Sequence, residues 1–332
     1  MRLGCISLWG DDLGAFKRQI RLAEELGYDA IGIGESPSAW QDMCVTLALA
    51  AQETERATLV TTVTTPFLRH PVVLARAMLS VSDLADGRVT IAIGSGGSAV
   101  GAIGRGPSTM RQLREYVLAV RGLLNGESVT WDGHRTEPLV RAHPMPIYIP
   151  ADGPNSLRLA AEIADGVIIN AGMAMPFVDQ RVDAIRAATK DAGRNPDEIA
   201  IWCYSYVSLR DTSEAAIADI TAFLAVMGGL WMQKPYARVL VPPELEEAVE
   251  RMVREYTTTE HTVVGSRQAE LVAELGLADW LAGLTALAGT PGDVAAGVQR
   301  LEERGVSLVF AALPGNADPE GTLRRFRDAV PG

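Results

Sequence analysis

The 332-residue sequence predicts a (β/α)8 TIM barrel, because strand-like and helix-like segments alternate along its length. Short apolar or β-branched runs are each followed by a segment in which apolar residues recur every three or four positions. Such alternation is typical of a parallel sheet, and about eight units favour a closed barrel over an open doubly wound sheet. No linker rich in Pro, Gly or Ser interrupts the chain, so we predict a single barrel domain over residues 1–332.

The strands are predicted from short apolar or β-branched composition, of which residues 57–63 are an example. The predicted strands are residues 2–8, 30–33, 57–63, 88–93, 147–149, 166–169, 199–208 and 306–312. The helices are predicted from apolar residues that share one face, and Gly27 is a natural stop for the first of them. The predicted helices are residues 12–27, 41–55, 71–85, 108–125, 155–165, 176–192, 213–228 and 319–329.

Two segments do not fit the alternation and are predicted to be insertions into the barrel. Residues 127–144 are polar, and Trp131-Asp132-Gly133-His134 predicts a hairpin turn within them. Residues 229–290 predict a largely helical segment with no clear strand.

Composition and charge exclude several classes of protein. The chain has 30 Lys and Arg against 41 Asp and Glu, a net charge of −11, which argues against binding to nucleic acid or to an anionic membrane surface. No apolar run of about 18 residues is present, so no transmembrane helix is expected, and the N-terminus does not resemble a secretory signal. The three cysteines form no CxxC pair or metal pattern, so we expect reduced thiols in a cytoplasmic protein.

Motifs for metal or nucleophilic chemistry are missing from the sequence. The four histidines are scattered, and neither an HExxH nor a G-x-S-x-G motif occurs. We therefore predict no metal site. If the protein is an enzyme, we expect an organic cofactor to supply the chemistry that side chains alone cannot perform.

Small, hydroxylic and glycine residues follow several of the predicted strands. They occupy residues 34–36, 61–66, 94–98 and 150–155. A barrel places its active site at the carboxyl ends of its strands, and such residues let backbone N–H groups approach phosphate or carbonyl oxygens. These segments together predict a ligand site.

The segment Gly94-Ser95-Gly96-Gly97-Ser98-Ala99 also matches a G-x-G-x-x-A dinucleotide fingerprint, which would indicate a Rossmann domain. That fingerprint requires a helix that starts inside the motif. The next periodic helix starts near Ser108, so the barrel is the favoured interpretation.

Two blocks of sequence resemble the bacterial luciferase-like superfamily. The first comprises residues 63–71 and 83–96, and the second comprises residues 146–154 and 164–168. Their spacing looks most like the branch that uses coenzyme F420, a deazaflavin, and within it the methylenetetrahydromethanopterin reductase family. The resemblance implies a (β/α)8 barrel with insertions, usually a homodimer, with the cofactor across the carboxyl-terminal mouth. It is only moderately specific for F420 over FMN.

The resemblance also implies roles for individual residues. It implies a non-proline cis peptide between Thr62 and Val63, as a bulge behind the cofactor ring. The residues that it places at the cofactor are Thr62, Val63, Thr65, Gly94, Ser95, Gly96, Ala151, Asp152, Gly153 and Pro154. Among these, Ala151, Asp152 and Gly153 would donate backbone N–H groups to the phosphate. Arg105 and Arg111 would either offset the anionic tail of the cofactor or be ordinary solvated side chains.

The sequence departs from the family pattern after strand two. The usual Asp-His pair reads Glu35-Ser36, whereas the Trp four residues beyond is kept as Trp40. Sugar-phosphate dehydrogenases of this branch use that His and a Glu where this chain has Ser36 and Gly97, so sugar-phosphate oxidation is not expected. Glu35 and Ser36 are the candidate catalytic residues. Glu35 would act as an acid or hold the ring, or else cap a helix or pair with an arginine.

Three tryptophans are candidates for the walls of the substrate pocket, with simple packing as the alternative. They are Trp9, Trp40 and Trp231. An aromatic pocket of this kind would accept a pterin, an enone, an imine or an alcohol, so the sequence does not identify the substrate.

The predicted function is that of an F420-dependent oxidoreductase, which transfers a hydride between the deazaflavin C5 and a small organic substrate. One alternative is an FMN-dependent luciferase-like monooxygenase that uses reduced flavin and oxygen. Another is a barrel that binds flavin without catalysis, which the absence of the usual His at Ser36 supports.

Overall fold

The computed structural model describes residues 1–7, 12–257, 265–313 and 318–330, and it has the predicted fold. Eight parallel strands form a closed barrel with flanking helices. The strands are β1 Arg2–Ser7, β2 Ala30–Ile33, β3 Thr58–Thr61, β4 Val89–Ala92, β5 Thr130–Trp131, β6 His134–Arg135, β7 Ile147–Pro150, β8 Gly166–Asn170, β9 Ala200–Leu209, β10 Ala286–Gly289 and β11 Val306–Ala312.

Eight of the helices lie close to the predicted positions, with ends that differ by a few residues, whereas the helices at residues 98–101 and 291–303 were not predicted. The helices in chain order are α1 Leu13–Glu25, α2 Met43–Glu53, α3 Pro71–Leu84, α4 Ser98–Gly101, α5 Met110–Leu124, α6 Pro154–Ile163, α7 Met175–Asp191, α8 Ser213–Trp231, α9 Pro235–Arg238, α10 Glu246–Glu255, α11 Arg267–Glu274, α12 Ala278–Thr285, α13 Pro291–Glu303 and α14 Pro319–Ala329. A 3-10 turn, Pro243–Leu245, precedes α10.

The sheet order confirms the barrel and excludes an open doubly wound sheet. The nine-stranded sheet has the order β10-β9-β11-β1-β2-β3-β4-β7-β8, and β8 also pairs with β9. The eight strands from β9 to β8 therefore close the ring, and β10 pairs with β9 as a ninth strand. The last residues of β1, β2 and β3 are aligned, since Ile33 at the end of β2 pairs with Ser7 on one side and with Thr61 on the other. The carboxyl ends of these strands therefore lie at one edge, where a barrel places its ligand.

The chain forms two compact units. The N-terminal unit comprises residues 3–168 and 185–202, and the C-terminal unit comprises residues 1–2, 169–184 and 203–332. All predicted cofactor residues belong to the N-terminal unit. The single-domain assignment of the sequence analysis stays a prediction.

Helix starts in the N-terminal unit follow from the sequence. Pro71 occupies the first turn of α3, and Nδ1 of His70 accepts the N–H of Val72 at 3.2 Å. Thr109 and Gln112 form a capping box at the start of α5. The predicted hairpin is confirmed as the antiparallel pair β5–β6, whose turn residues Asp132 and Gly133 have φ of 48° and 79°.

In the C-terminal unit, the expectation that residues 229–290 contain no strand is wrong. Residues 286–289, Ala-Leu-Ala-Gly, form β10, which pairs in parallel with β9. These four residues have little intrinsic preference for a strand. Their conformation comes from backbone pairing with Tyr206–Leu209, a tertiary contact that composition does not reveal.

Helix α8 of the C-terminal unit is long and apolar enough, by length and composition alone, to cross a membrane. Half of the qualifying window is buried in the fold. Its buried residues, among them Ile220, Phe223 and Leu224, pack with side chains from α10, α11 and α12 in one cluster. These contacts are those of a core helix, which passes the same compositional test.

The Gly166 position gives a test of packing in the N-terminal unit. A Cβ there would lie 2.5 Å from Cζ and 2.7 Å from Cδ2 of Tyr148, whose ring packs on Trp202 at 4.1 Å between centroids. We expect Gly166→Ala to lower the free energy of unfolding by about 1–3 kcal/mol, because the overpacked ring must shift. Denaturant titration measures the change. Gly106→Ala is the control, since nothing lies within 4 Å of that position, and equal losses in both variants would refute the packing argument.

Candidate functional site

Three of the predicted cofactor segments meet at the strand ends of the N-terminal unit. A Cβ on Gly94 would lie 3.0 Å from Cγ2 of Val63 and 3.1 Å from Cγ of Pro150. The N–H of Gly94 donates to the carbonyl of Thr64 at 2.8 Å. The ends of β3, β4 and β7 are therefore close together, and a side chain at residue 94 would require Val63 or Pro150 to shift.

We call the strand-end region around Val63, Gly94 and Pro150 the cradle. Beside it, the hydroxyl of Thr65 is buried with no hydrogen-bond partner among the described residues. Gly96, with φ of +103°, lies against it, and a Cβ there would be 3.0 Å from Oγ1 of Thr65. A buried hydroxyl without a partner is unfavourable in a folded protein, so it marks a place where a ligand would complete the contacts.

The peptide bond between Thr62 and Val63 is cis, which confirms that prediction. Oγ1 of Thr62 is a second buried oxygen with no partner among the described residues. A Cβ on Gly32 of β2 would lie 2.9 Å from this oxygen. Strand β2 therefore approaches the same cradle.

In the loop after β7, the predicted phosphate contact of the Ala151 amide is not available. The N–H of Ala151 donates to the carbonyl of Ile168 at 2.9 Å, so this amide belongs to the β7–β8 ladder and not to a phosphate cradle. Gly153 is the N-cap of α6, Pro154 is in its first turn, and the N–H of Gly153 has only a 3.3 Å contact with Oγ of Ser156. The start of α6 offers amides to an anion, as helix N-termini do.

Glu35 lies at the end of β2 and is held on both carboxylate oxygens. Oε1 accepts from Nη1 of Arg69, and Oε2 accepts from the hydroxyl of Thr64 at 2.7 Å. The Glu35 side chain is 4% exposed and that of Arg69 is 15% exposed. The arginine-paired alternative of the sequence analysis is therefore what the structure shows, and the arrangement favours a fixed carboxylate over a proton donor.

Arg69 connects Glu35 to the next helix. Its Nη2 donates to Oδ2 of Asp42 at 2.5 Å, while Oδ1 of Asp42 caps α2 by accepting the N–H of Cys44 at 2.9 Å. Burial lowers the pKa of Arg69, but the hydrogen bond and charge of Glu35 outweigh it, so the pKa lies above its ordinary value. The hydroxyl of Tyr116 donates to the Arg69 carbonyl at 2.9 Å, and burial raises the pKa of that phenol.

Thr64, Arg69 and Asp42 were not singled out by the sequence analysis. Thr64 and Arg69 lie within the first block that carries the family resemblance, and Asp42 precedes an apolar helix, which is an N-cap signal. Those signals locate the residues, but they do not reveal that the three side chains converge on Glu35.

The remaining candidates lie in different surroundings. The Ser36 hydroxyl, which is buried, donates to Oγ of Ser98 at 3.3 Å, and the N–H of Trp40 donates to the Ser36 carbonyl at 2.9 Å. Trp231 is buried in the core of the C-terminal unit against Phe177. Trp9 lies outside the described residues.

Burial controls the protonation of two of the three cysteines. All three cysteines are free thiols. Burial raises the pKa of Cys5 to about 12 and that of Cys44 to about 11, so both stay protonated near neutral pH. Over residues 1–7, 12–257, 265–313 and 318–330, no group of three or more His, Cys, Asp or Glu is placed to hold a metal ion.

Removal of the Arg69 charge tests the ion pair. We expect Arg69→Met to lower the free energy of unfolding by about 3 kcal/mol, because it leaves the buried carboxylate of Glu35 without its cation. Adding Glu35→Gln to this variant should recover part of the loss. Arg251→Met is the matched control, because Arg251 forms an exposed i,i+4 pair with Glu255 at 2.9 Å, worth about 0.3–0.5 kcal/mol. Equal effects of the two arginine substitutions in denaturant titrations would contradict the assignment.

Two curated relatives are similar in sequence to a large part of the chain. The chain is 33% identical over 219 residues to a 5,10-methylenetetrahydromethanopterin reductase of Methanolobus tindarius, which covers 63% of this chain and 66% of that protein. It is 33% identical over 226 residues to an F420-dependent glucose-6-phosphate dehydrogenase of Nakamurella multipartita, covering 62% and 66%. The chain thus spans slightly less than two thirds of each of these curated relatives.

A solved structure matches nearly the whole fold. The coenzyme F420-dependent tetrahydromethanopterin reductase of Methanopyrus kandleri superposes with a TM-score of 0.79 at 22% identity, over 99% of this chain and 98% of that one. The family model described as luciferase-like monooxygenase matches residues 1–308. The chain therefore belongs to the luciferase-like family, as the two sequence blocks indicated.

Proposed function

We propose that this protein is an F420-dependent oxidoreductase, which transfers a hydride between the deazaflavin C5 and a small organic substrate. The observation that carries the proposal is the contact of the ends of β3, β4 and β7 at Gly94, next to the buried Thr65 hydroxyl that has no partner among the described residues. The curated relatives are named for methylenetetrahydromethanopterin reduction and for F420-dependent dehydrogenation, which supports this cofactor. We place the reaction in the cytoplasm.

The cradle has groups that suit the proposed cofactor. The hydroxyls of Thr62 and Thr65 would supply hydrogen bonds that the described residues leave unmade. A Cβ on Gly94 would crowd Val63 and Pro150, and one on Gly96 would collide with Val100, so these glycines let the backbone pack closely beside the proposed site. The cofactor's phosphate would lie at the start of α6, where Asp152, Gly153 and the first-turn amides are, with Pro154 shaping the turn.

When bound, the deazaflavin would supply a two-electron hydride to, or accept one from, a carbon of the substrate. The protein's contribution would be to hold the two reacting carbons roughly 3–3.5 Å apart and to exclude water. Glu35 would fix the ends of β2 and β3 through Arg69 and Thr64 and would not donate the proton. Ser36 and its partner Ser98 would border the same site, and Trp40 would form part of the substrate wall.

The substrate class is proposed to exclude sugar phosphates. Ser36 and Gly97 occupy the positions where the resemblance places the His and Glu of the sugar-phosphate dehydrogenases. A pterin, an enone, an imine or an alcohol would each accept or give a hydride at carbon. Trp231 packs within the C-terminal unit, and its proposed place in the substrate pocket rests on the resemblance alone.

The Thr65 hydroxyl gives the test of the cofactor assignment. We expect Thr65→Val to weaken F420 binding by about two- to tenfold, because one hydrogen bond is lost. The free protein should be unchanged or more stable, since a buried unpaired hydroxyl is removed. Cofactor fluorescence titration and thermal unfolding give the two readouts.

The control for this experiment is Thr61→Val, which should behave differently. The Thr61 hydroxyl donates to the Ala92 carbonyl at 2.8 Å and accepts the Ala92 N–H at 2.7 Å, so its loss should lower the stability. Unchanged F420 affinity in Thr65→Val would remove Thr65 from the site. Tight FMN binding without F420 binding by the native protein would overturn the cofactor assignment in favour of the monooxygenase alternative.

We also propose that the protein is a homodimer that pairs through α2 and α3. A groove of about 430 Å³ between these helices is lined mainly by apolar side chains. Val45 and Leu84 in this groove are 57% and 49% exposed. Exposed apolar side chains grouped in this way are typical of a surface that another protein covers, and a second copy fits the association implied by the resemblance.

Charge placed in the groove should separate the two copies. We expect Val45→Glu combined with Leu84→Glu to give a monomer at micromolar concentration, because two carboxylates would be buried without partners. Analytical ultracentrifugation measures the mass. Val140→Glu, at a 76% exposed valine outside the groove, should stay dimeric, and a monomeric native protein would refute the proposal.

A further inference from the structure

The loop between β2 and α2 carries the candidate catalytic residues of the N-terminal unit. It spans residues 34–42, with Glu35 and Ser36 at its start and Trp40 near its end. The N–H groups of Ala39 and Trp40 both donate to the Ser36 carbonyl at 2.9 Å. The loop therefore contains one tight turn, and the middle residues of this turn are exposed.

The side-chain contact between this turn and the segment after β4 is weak by itself. The Ser36 hydroxyl donates to Oγ of Ser98 at 3.3 Å. Two hydroxyls that form a good hydrogen bond lie about 2.7–2.8 Å apart. An exposed turn attached through a long hydrogen bond opens readily, so its position depends on what holds the two ends of the loop.

One guanidinium group holds both ends of the loop. Nη1 of Arg69 donates to Oε1 of Glu35 at the start, and Nη2 donates to Oδ2 of Asp42 at the end, at 2.5 Å. Both hydrogen bonds join charged groups, which makes them stronger than bonds between neutral groups. Arg69 is itself anchored, because the hydroxyl of Tyr116 donates to its carbonyl at 2.9 Å.

The carboxylate of Asp42 offers more than a helix cap requires. Its Oδ1 caps α2 by accepting the N–H of Cys44 at 2.9 Å and that of Val45 at 3.1 Å. Hydroxyl side chains cap four other helices, at Thr109, Thr212, Ser266 and Thr290. A serine would therefore cap α2 about as well as the aspartate does. What a serine lacks is the second oxygen, which binds Arg69.

The contact of Asp42 with Arg69 can be removed without disturbing the cradle. The Asp42 side chain is 50% exposed, so its replacement leaves no buried charge. The carboxylate of Glu35 keeps both Arg69 and Thr64 as partners, and the Thr64 carbonyl still accepts the N–H of Gly94. Loss of the Asp42 contact should therefore free the end of the loop and leave the ends of β3 and β4 in place.

We propose that Asp42 is a positioning residue, which acts through Arg69 to hold Ser36 and Trp40 where they meet the substrate. The inference rests on the proposed function and extends it, because it separates the residues that hold the substrate side of the site from those that hold the cofactor. Asp42 would touch neither the cofactor nor the substrate. Its loss should lower turnover and leave the cofactor affinity unchanged.

The test compares Asp42→Ser with Asp42→Asn. Serine keeps the cap of α2 and is too short to reach Arg69, whereas asparagine keeps both the cap and an oxygen for Arg69. The protein is given F420 and one probe of each proposed substrate class, namely isopropanol, cyclohexenone, pyrroline and methylenetetrahydrofolate, with the absorbance of the cofactor as the readout. The probe that the native protein turns over fastest serves for all variants.

We expect Asp42→Ser to lower kcat about tenfold, because a displaced turn no longer places the reacting carbon correctly. The F420 Kd, measured by fluorescence titration, should be unchanged. Asp42→Asn should lower kcat by about threefold or less, since an oxygen that accepts from Arg69 is present again.

Hydrogen exchange gives a second readout, which does not need the substrate. In Asp42→Ser, the amides of Ala39 and Trp40 should exchange about two- to fivefold faster than in the native protein, because an exposed charge contact no longer holds the loop. The amide of Gly94 should exchange at the native rate, since it reports on the cradle.

The matched control is Asp318→Ser in the C-terminal unit. Asp318 also caps a helix, because its Oδ1 accepts the N–H of Gly321 at 2.8 Å, and its Oδ2 accepts from Nη1 of Arg325 at 3.3 Å. This variant should keep the native kcat. An equal fall of kcat in the two serine variants would assign the loss to weaker helix starts and would overturn the inference.

Three other outcomes are decisive. Native kcat in Asp42→Ser, or native exchange at Ala39 and Trp40, would contradict the positioning role and leave the cofactor assignment intact. An F420 Kd that rises in step with the fall of kcat would assign Asp42 to the cofactor side and overturn the inference. If the native protein binds no F420 or turns over none of the probes, the proposed function itself fails, and the exchange rates still decide whether Asp42 holds the loop.

Discussion

The ion pair between Glu35 and Arg69 is the constraint on which the candidate site depends. A carboxylate that is 4% exposed is tolerated in a protein only if it is paired and hydrogen-bonded. The contacts that satisfy it run from Asp42 through Arg69 to Glu35 and Thr64, and the backbone of Thr64 then joins β4 at Gly94. One set of polar contacts therefore holds the ends of β2, β3 and β4 and the start of α2 in a single arrangement.

The same ion pair neutralises a negative charge that would otherwise repel an anionic ligand near the cradle. An unpaired carboxylate beside the cradle would repel a phosphate-bearing cofactor, whereas the guanidinium of Arg69 neutralises it at contact distance. The net charge of −11 is then carried elsewhere on the chain. An anion near the cradle would experience oriented amides, threonine hydroxyls and nearby arginines, which is a local environment that the total charge conceals.

The alternation of strands and helices was predictable from the sequence because apolar periodicity is a local property. Strand β10 was not, since Ala-Leu-Ala-Gly becomes a strand only by pairing with β9. The contact of Arg69 with Glu35 joins side chains 34 residues apart, and one sequence does not reveal which arginine meets a given carboxylate. Likewise, the use of the Ala151 N–H depends on which carbonyl lies across the ladder, and here that carbonyl is Ile168.

The strand ends depart from good packing in one place, and this departure is itself an argument about function. Valine in place of Thr65 would avoid an unpartnered buried hydroxyl, and Gly96 is kept in a left-handed conformation where a Cβ would collide with that threonine and with Val100. The threonine is less favourable for folding than valine would be, whereas the positive φ at residue 96 requires glycine. Sequences that follow local rules elsewhere are expected to break them where a ligand supplies the missing contacts. The barrel breaks them where β3 and β4 end, which is where the sequence resemblance predicts the cofactor.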